Sequence, residues 1–448
     1  MGAPPRAGTS ARPLSGLFAI AKPSGPTSMH ILDTLKPLLA SSALFYEPGA
    51  PEPHSKEHSK KLARRAKPWE RALLQRCGRM PPKLGQGGTL DPLAEGVLVV
   101  GVGAGTKHLQ QFLSCTKEYR TVALLGSATT SYDSNEPVMR RAPFAHVTRE
   151  LLAAALPQFT GELMQVPPLY SAVRIDGKRL FDYARQDIPL PRPIDARRVS
   201  VSELRLVDWL PGGSHEYKEP SAEISEEDHA LVDKIRNMTG GGYDTRRVEQ
   251  GEQGEQGEQG EQGEQREQGE QGKQGEQGEQ GERNKAEGEK EAQSNVQEPQ
   301  MERPQAHGPD ASEPGAEGPE PLGKEASTST PAAALPPAAV LEMTVSGGTY
   351  VRSVVHDLGA AVGSAAHVVR LIRTRQGEFA LGHSAVPQDG AVADSGVELP
   401  GNCIPWAVFE RGLTELDAAR CGDTSRDTRD ASGLREWERV LLRAIQPV

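Results

Sequence analysis

Residues 251 to 283 read as eleven triplets, GEQGEQGEQGEQGEQREQGEQGKQGEQGEQGER. A run with no apolar side chain has nothing to bury, so it cannot offset the entropy of ordering its backbone. Glycine at every third position but one, Arg266, looks like collagen, but the run holds no proline, and a triple helix depends on proline-like residues beside its glycines. A helix through it would cost about 1 kcal/mol at each glycine. The tract is therefore expected to be solvated and disordered, and whatever fold the chain makes must be assembled across it. The flanks share this character, with PGGSHEYKEPSAEISEED before and EPQMERPQAHGPDASEPGAEGPEPLGKEASTSTPAAALPP after. EEDHALVDKIRNM is the one short helical stretch among them. Residues 211 to 338 are read as one long acidic insertion.

The insertion changes what the net charge means. It holds 29 Asp and Glu against 12 Lys and Arg, a net of −17. Of the whole-chain 61 acids and 51 bases, 32 and 39 then remain, a net of +7. An acidic total of −10 conceals a basic body suited to a polyanion, whose affinity should fall with salt. Cys77, Cys115, Cys403 and Cys421 are scattered without C-x-x-C spacing, which argues against a disulfide framework or a zinc site and suits a reducing compartment. No apolar run approaches the roughly 18 residues of a membrane helix, so no membrane partner is expected. The N-terminus carries Arg6 and Arg12 and no acid before Asp33, as a mitochondrial presequence would. Pro4, Pro5 and Pro13 oppose a long helix there, and a disordered tail is the favoured reading.

Outside the insertion, SGLFAIAKPSG reads as a strand entering a Pro/Gly turn, and TSMHILDTLKPLL as a helix capped by Thr27 or Ser28. EGVLVVGVG and KEYRTVALLGS read as strands, and TRELLAAALPQF as a helix capped by Thr148. PLYSAVRIDG and the alternating RVSVSELRLVDWL read as strands. Beyond the insertion, AAVLEMTVSGG reads as a strand and TYVRSVVHDLGAAVG as a helix. The strands before and after the insertion are expected to be antiparallel neighbours, because a hairpin tip tolerates a long insertion at small loop-closure cost. The pattern is α+β with a mainly antiparallel central sheet.

Chemistry concentrates in three segments. In GQGGTLDPLAEG, Gly85, Gly87 and Gly88 permit positive φ and close backbone approach, and Pro92 biases Asp91 toward an extended conformation. One carboxylate is thus held at a strand entrance; read alone, an aspartate before proline is more often a capping or turn residue. The loop lacks the G-x-x-x-x-G-K-[ST] phosphate pattern, and GVGAGTK lacks the full spacing of a dinucleotide fingerprint. In SGGTYVRSVVHDLG, Tyr350 and Arg352 fall in a first helical turn, where an arginine opposes the helix dipole unless a carboxylate faces it. In CTKEYRTVALLG, Tyr119 lies in a strand between charged neighbours.

Taken in order, AKPSGPTS, GQGGTLDPLAEGVLVVGVGAGTK, CTKEYRTVALLG, QVPPLYSAVRIDGKRLFDYAR and SGGTYVRSVVHDLG with GSAAHVVRLIRTRQGEF resemble the TruB-type pseudouridine synthases, most of all the fungal members that modify uridine 55 of tRNA. The resemblance implies the pseudouridine synthase catalytic fold, interrupted here by the insertion. It implies that Asp91 is the catalytic aspartate, that Tyr119 stacks on the target base and moves a proton, and that Arg352 pairs with the aspartate. Tyr350 and Leu371 would surround the flipped uracil, and Lys22 with Pro23 would form a motif beneath the site. Gln86 stands where bacterial members place a histidine that helps open the T-loop; it hydrogen-bonds but cannot become cationic. Breaking the N-glycosidic bond and rejoining the uracil through C5 admits no electrons or groups, so no cofactor and no metal are expected.

The expected partner is the T-stem-loop of tRNA, with mRNA hairpins of T-loop type as further substrates, acted on by a monomer in the nucleus, the mitochondrion or both. Two other readings stand beside this one: a guide-RNA-dependent enzyme acting on ribosomal RNA, and an RNA-folding chaperone with a disused site. The expected layout is a tail at 1–13, the catalytic domain at 14–210 and 339–380, the insertion at 211–338, and a short helical extension at 381–448 with no evident PUA domain.

Overall fold

The stretch 117–125, apolar from Val122 to Leu125, becomes the strand Lys117–Leu125, and it shows why the centre of this molecule is a sheet. Val122 and Leu124 pack on one face with Ala338 and Val340. Tyr119, Ala123 and Leu125 face the larger core on the other. A strand that buries both faces needs neighbours on both sides, and this strand has them. It pairs antiparallel with Ala338–Val345, Tyr119 opposite Met343, and with Ala366–Gln376, Tyr119 opposite Arg373. The computed structural model describes residues 13–50, 67–186, 188–224, 245–247, 335–382, 401–423 and 425–448, with 245–247 as backbone only. They belong to one compact unit formed from Met1–Gln250 and Ala333–Val448.

The central sheet runs Thr245–Arg247, Gly161–Gln165, Arg197–Leu210, Ala338–Val345, Lys117–Leu125, Ala366–Gln376, Glu95–Val102, Gly16–Lys22, Cys403–Pro405. Two pairings are parallel, Ala366–Gln376 with Glu95–Val102 and Gly16–Lys22 with Cys403–Pro405; the others along this path are antiparallel. The expected α+β class and mainly antiparallel sheet hold. The strands on either side of the insertion are hairpin neighbours, Leu210 opposite Ala338 and Val201 opposite Val345. Helix Ser28–Ser41 begins at Thr27, whose hydroxyl accepts from His30 N at 3.1 Å, and it buries Ile31, Leu35, Leu38 and Leu39. Thr148 caps Arg149–Ala155 by accepting from Leu151 N at 3.2 Å.

Three expectations are corrected. The segment PLYSAVRIDG is irregular, apart from Arg174–Ile175 laddered against Lys178–Arg179. Pro167 and Pro168 precede that ladder and have no N–H to donate. The last residues are no appended extension: Cys403–Pro405 and Gln446–Pro447 both pair with Gly16–Lys22. The helices Trp406–Arg420 and Glu436–Ala444 bury Phe409 and Trp437 in the main core. Nor is residue 211 the edge of the packed body. Val138 N donates to Ala222 O and Ile224 N to Val138 O, at 2.8 and 3.2 Å, and Arg141 pairs with Glu219 and Glu223. Thr245–Arg247 joins the sheet edge beside Gly161–Gln165. The GEQ tract, the EEDHALVDKIRNM stretch and residues 1–12 lie outside the described residues. No helix among the described residues is long and apolar enough to cross a membrane.

Candidate active site

Asp91 sits in the loop between Leu84–Gln86 and Glu95–Val102, two strands that pair antiparallel. Backbone carbonyls in a loop must find donors, and here other parts of the fold supply nearly all of them. Gln376 Nε2 donates to Gly87 O, and Arg373 Nη2 and Nη1 donate to Gly88 O and Thr89 O at 3.1 and 3.3 Å. Ser28 Oγ donates to Leu90 O at 3.1 Å and accepts from Leu90 N at 2.8 Å. Gly25 N reaches Pro92 O at 2.8 Å, Ser24 Oγ reaches Leu93 O at 2.7 Å, and Lys22 Nζ reaches Ala94 O at 2.7 Å. Asp91's own carbonyl accepts from Ala94 N at 3.1 Å. Two glycines are required by the geometry: Gly88 has φ +121, and a Cβ on Gly87 would fall 2.7 Å from Phe112 Cβ.

Lys22 lies under this loop rather than on its outer face, 1% exposed, with Nζ also donating to Pro23 O at 2.9 Å. Burial lowers its pKa to about 8, with Asp91 and Glu95 pulling the other way. One row of paired residues crosses five strands here, from Lys22 through Gly96, Arg373 and Tyr119 to Met343. Tyr119, 8% exposed, and Leu371, 4% exposed, stand two residues apart in register, and both belong to the core that holds Leu90 and Ala94. Gln86 ends its short strand, and its Oε1 is buried with no hydrogen-bond partner among the described residues.

Arg352 is the second residue of helix Val351–Ala361 and is 3% exposed. A buried cation at a helix N-terminus opposes both solvation and dipole, and the surroundings answer with acceptors. Its Nε donates to Asp91 Oδ2 at 2.8 Å, Nη1 to Ser131 O at 2.5 Å and Nη2 to Tyr170 O at 2.9 Å. Asp133 Oδ2 stands 3.8 Å from the same Nε. Burial works to lower the arginine's pKa, but Asp91 and Asp133 together raise it. Burial raises the Asp133 carboxyl above its usual range, against the opposing pull of Arg352 and Ser131. The expected facing carboxylate is therefore present. The Asp91 side chain is 39% exposed, paired on one side and open on the other.

Tyr350 is the residue before that helix. Its backbone N–H and C=O are both held by one side chain, Gln165, whose Oε1 accepts from Tyr350 N at 2.7 Å and whose Nε2 donates to Tyr350 O at 3.1 Å. Burial raises the Tyr350 phenol above its ordinary pKa, against Ser171 and Arg197. Sequence reasoning missed Asp133, Gln165, Arg373 and Gln376. The last two carried a signal, since charged and amide side chains in LIRTRQ interrupt an apolar strand. Asp133 sits in SYDSN, which reads only as a turn. Among the described residues no cluster of three or more His, Cys, Asp or Glu is placed to hold a metal ion.

Residues 75–223 match the family described as TruB family pseudouridylate synthase (N terminal domain). The chain is 36% identical over 373 residues to tRNA pseudouridine synthase 4 of Schizosaccharomyces pombe, covering 82% of this chain and 79% of that protein. It is 37% identical over 232 residues to tRNA pseudouridine synthase 4 of Saccharomyces cerevisiae, covering 50% and 54%, and 41% identical over 199 residues to pseudouridylate synthase TRUB1 of Mus musculus, covering 44% and 51%. These matches span about half of the latter two proteins. The chain belongs to the TruB family. It is a pseudouridine synthase, an isomerase.

Proposed function

We propose that this chain isomerises uridine 55 in the T-loop of tRNA to pseudouridine, with Asp91 as nucleophile. The observation that carries the reading is the 2.8 Å pair between Arg352 Nε and Asp91 Oδ2, made across the whole fold and on a loop that other elements grip by its carbonyls. The names of the two yeast relatives support tRNA as the substrate class. In the reaction the N1–C1′ bond breaks, the uracil turns, the C5–C1′ bond forms, and the proton leaving C5 is balanced by one taken up at N1. The open side of Asp91 meets the flipped nucleotide and attacks it, and the bond so formed breaks again as the C5 glycoside is completed, which restores the free carboxylate, while Arg352 orients that carboxylate and stabilises its charge. Tyr119 stacks on the base and accepts the C5 proton, and Tyr350 and Leu371 wall the uracil. Gln86 offers a hydrogen bond to the opened RNA loop. Extruding the base costs a few kcal/mol, which aromatic stacking and the basic body offset. RNAs with hairpins of T-loop type, mRNA among them, suit the same site.

A bare T-stem-loop transcript, supplied without guide RNA, tests this reading. Wild type should convert its uridine, and Asp91→Asn should yield at least about 10⁴-fold less product while binding the transcript within a few-fold of wild type. Turnover by Asp91→Asn would remove the aspartate from its role. A need for guide RNA would shift the activity to the ribosomal-RNA class.

A further inference from the structure

We propose that Gln165 is a positioning residue for this site and that Thr245–Arg247, a piece of the acidic insertion, is the clamp that keeps it in place. The inference deepens the proposed reaction and rests on that reading.

Gln165 is 1% exposed and ends the strand Gly161–Gln165. Its amide grips the backbone of one residue on both sides, accepting from Tyr350 N and donating to Tyr350 O, at 2.7 and 3.1 Å. Tyr350 immediately precedes the helix that carries Arg352, so this grip sets where the first turn begins and how the guanidinium reaches Asp91. The chain after Gln165 continues the grip. Two buried prolines, Pro167 and Pro168, stiffen the path to Tyr170, whose carbonyl takes Arg352 Nη2 at 2.9 Å. One segment, 165–170, thus holds both ends of the Tyr350–Arg352 turn.

A strand end at a sheet edge frays unless it is paired on both sides. Gln165 is so paired, opposite Arg197 on one side and opposite Thr245 on the other. The second neighbour comes from within the insertion. Without it, Gly161–Gln165 becomes the edge strand, and the residue that aims Tyr350 is its last.

The test uses the full chain and single-turnover rates on a T-stem-loop transcript, with transcript affinity and thermal unfolding measured in parallel. Gln165→Leu keeps the shape and removes both hydrogen bonds; its rate should fall about a hundredfold with affinity within twofold of wild type. Gln165→Glu keeps the acceptor for Tyr350 N and should recover part of that loss. The variant Thr245→Pro, Arg246→Pro, Arg247→Pro removes every donor of the added strand and should slow the reaction about tenfold. The same prolines on the Gln165→Leu background should add almost nothing, because the clamp acts only through that residue. Wild-type rates in Gln165→Leu, a loss of affinity in place of rate, or fully additive effects would each overturn the proposal. If Gln165→Leu fails to fold, Gln165→Glu decides: an unchanged rate there overturns it. Failure of the underlying reading is separate, since then wild type is inactive on the transcript or Asp91→Asn remains active.

Discussion

Arg352 meets two carboxylates in opposite surroundings. Asp91 sits 2.8 Å from its Nε with a side chain 39% exposed; Asp133 sits 3.8 Å away and is 4% exposed. The loop under Asp91 is held by its carbonyls, through Lys22, Ser28, Arg373 and Gln376, so the carboxylate is fixed while its outer side stays free. The Asp133 turn is held by the aspartate itself: Oδ1 accepts from Ser131 Oγ at 2.8 Å and Asn135 N at 3.0 Å. Tyr132 beside it has φ 64, a conformation costly for a bulky residue, and its ring stacks on His356 at 3.9 Å, one turn beyond Arg352. The difference separates two tasks. A carboxylate that is to attack needs an open face, and one that only steadies the arginine is better sealed in.

The largest test of that division compares the two isosteres. Asp91→Asn removes the attacking group. Asp133→Asn leaves the open carboxylate in place and removes the second charge, 3.8 Å from the guanidinium, so turnover should fall by up to about a hundredfold, far short of the loss at Asp91. Its effect on stability has a definite sign. The Asp133 carboxyl is raised above its ordinary value in the fold, so the native state binds more protons than the unfolded chain between those two values. Stability from this group therefore declines as pH rises through that window, and at neutral pH the buried charge is a cost. Asp133→Asn should unfold at or above the wild-type temperature at pH 7 and lose that part of the acid-side pH dependence. A variant that is both slower and markedly less stable would make Asp133 a plain structural anchor.

The sequence carried much of the first carboxylate's setting and little of the second's. Glycine spacing around Asp91 and an arginine placed against a helix dipole both have physical meaning before any fold is known. The hairpin across the insertion was legible for a similar reason, because two β-patterned runs flanked it. SYDSN was not legible, since a turn aspartate announces no distant partner. Arg373 stands out as a charge interrupting an apolar strand, but its grip on the loop carbonyls was hidden: which backbone atoms a buried guanidinium meets is decided by strand order, and a parallel neighbour such as Glu95–Val102 leaves no local trace. The reading of 381–448 as an extension failed because two helices look alike whether appended or embedded. Only the pairing with Gly16–Lys22 tells them apart.

A smaller effect probes the Asp91 side alone. Lys22 holds Pro23, Pro92 and Ala94 carbonyls, and burial sets its pKa at about 8. Losing its proton leaves fewer donors on the loop, so wild-type turnover should decline on the alkaline side with a midpoint near about 8. Stability should not follow. The unfolded chain keeps this proton up to 10.5, so between about 8 and 10.5 folding releases it and rising pH favours the native state. Lys22→Met should be about tenfold slower at pH 7 and should lack that alkaline limb. An unchanged limb in Lys22→Met would assign it to another group.

The smallest effect separates the two sides through the insertion. Residues 219–224 brace the hairpin that bears Asp133, through Val138 N to Ala222 O, Ile224 N to Val138 O, and the Arg141 pairs with Glu219 and Glu223. They touch nothing in the Asp91 loop among the contacts that hold it. Replacing 251–332 with a short glycine-serine linker should leave turnover within about twofold, since the docked pieces at 211–224 and 245–247 remain. Replacing 214–224 as well with a glycine-serine run of equal length should slow the reaction only a few-fold, because the Arg141 pairs are exposed and worth at most about 1 kcal/mol each. The informative quantity is the coupling. On that background Asp133→Asn should cost less than it does in the intact chain, because the turn it steadies is already loosened, whereas Lys22→Met should cost the same. Equal coupling to both residues would mean that the brace acts on the site as a whole, and the separation between the attacking carboxylate and the steadying one would have no structural basis in the insertion.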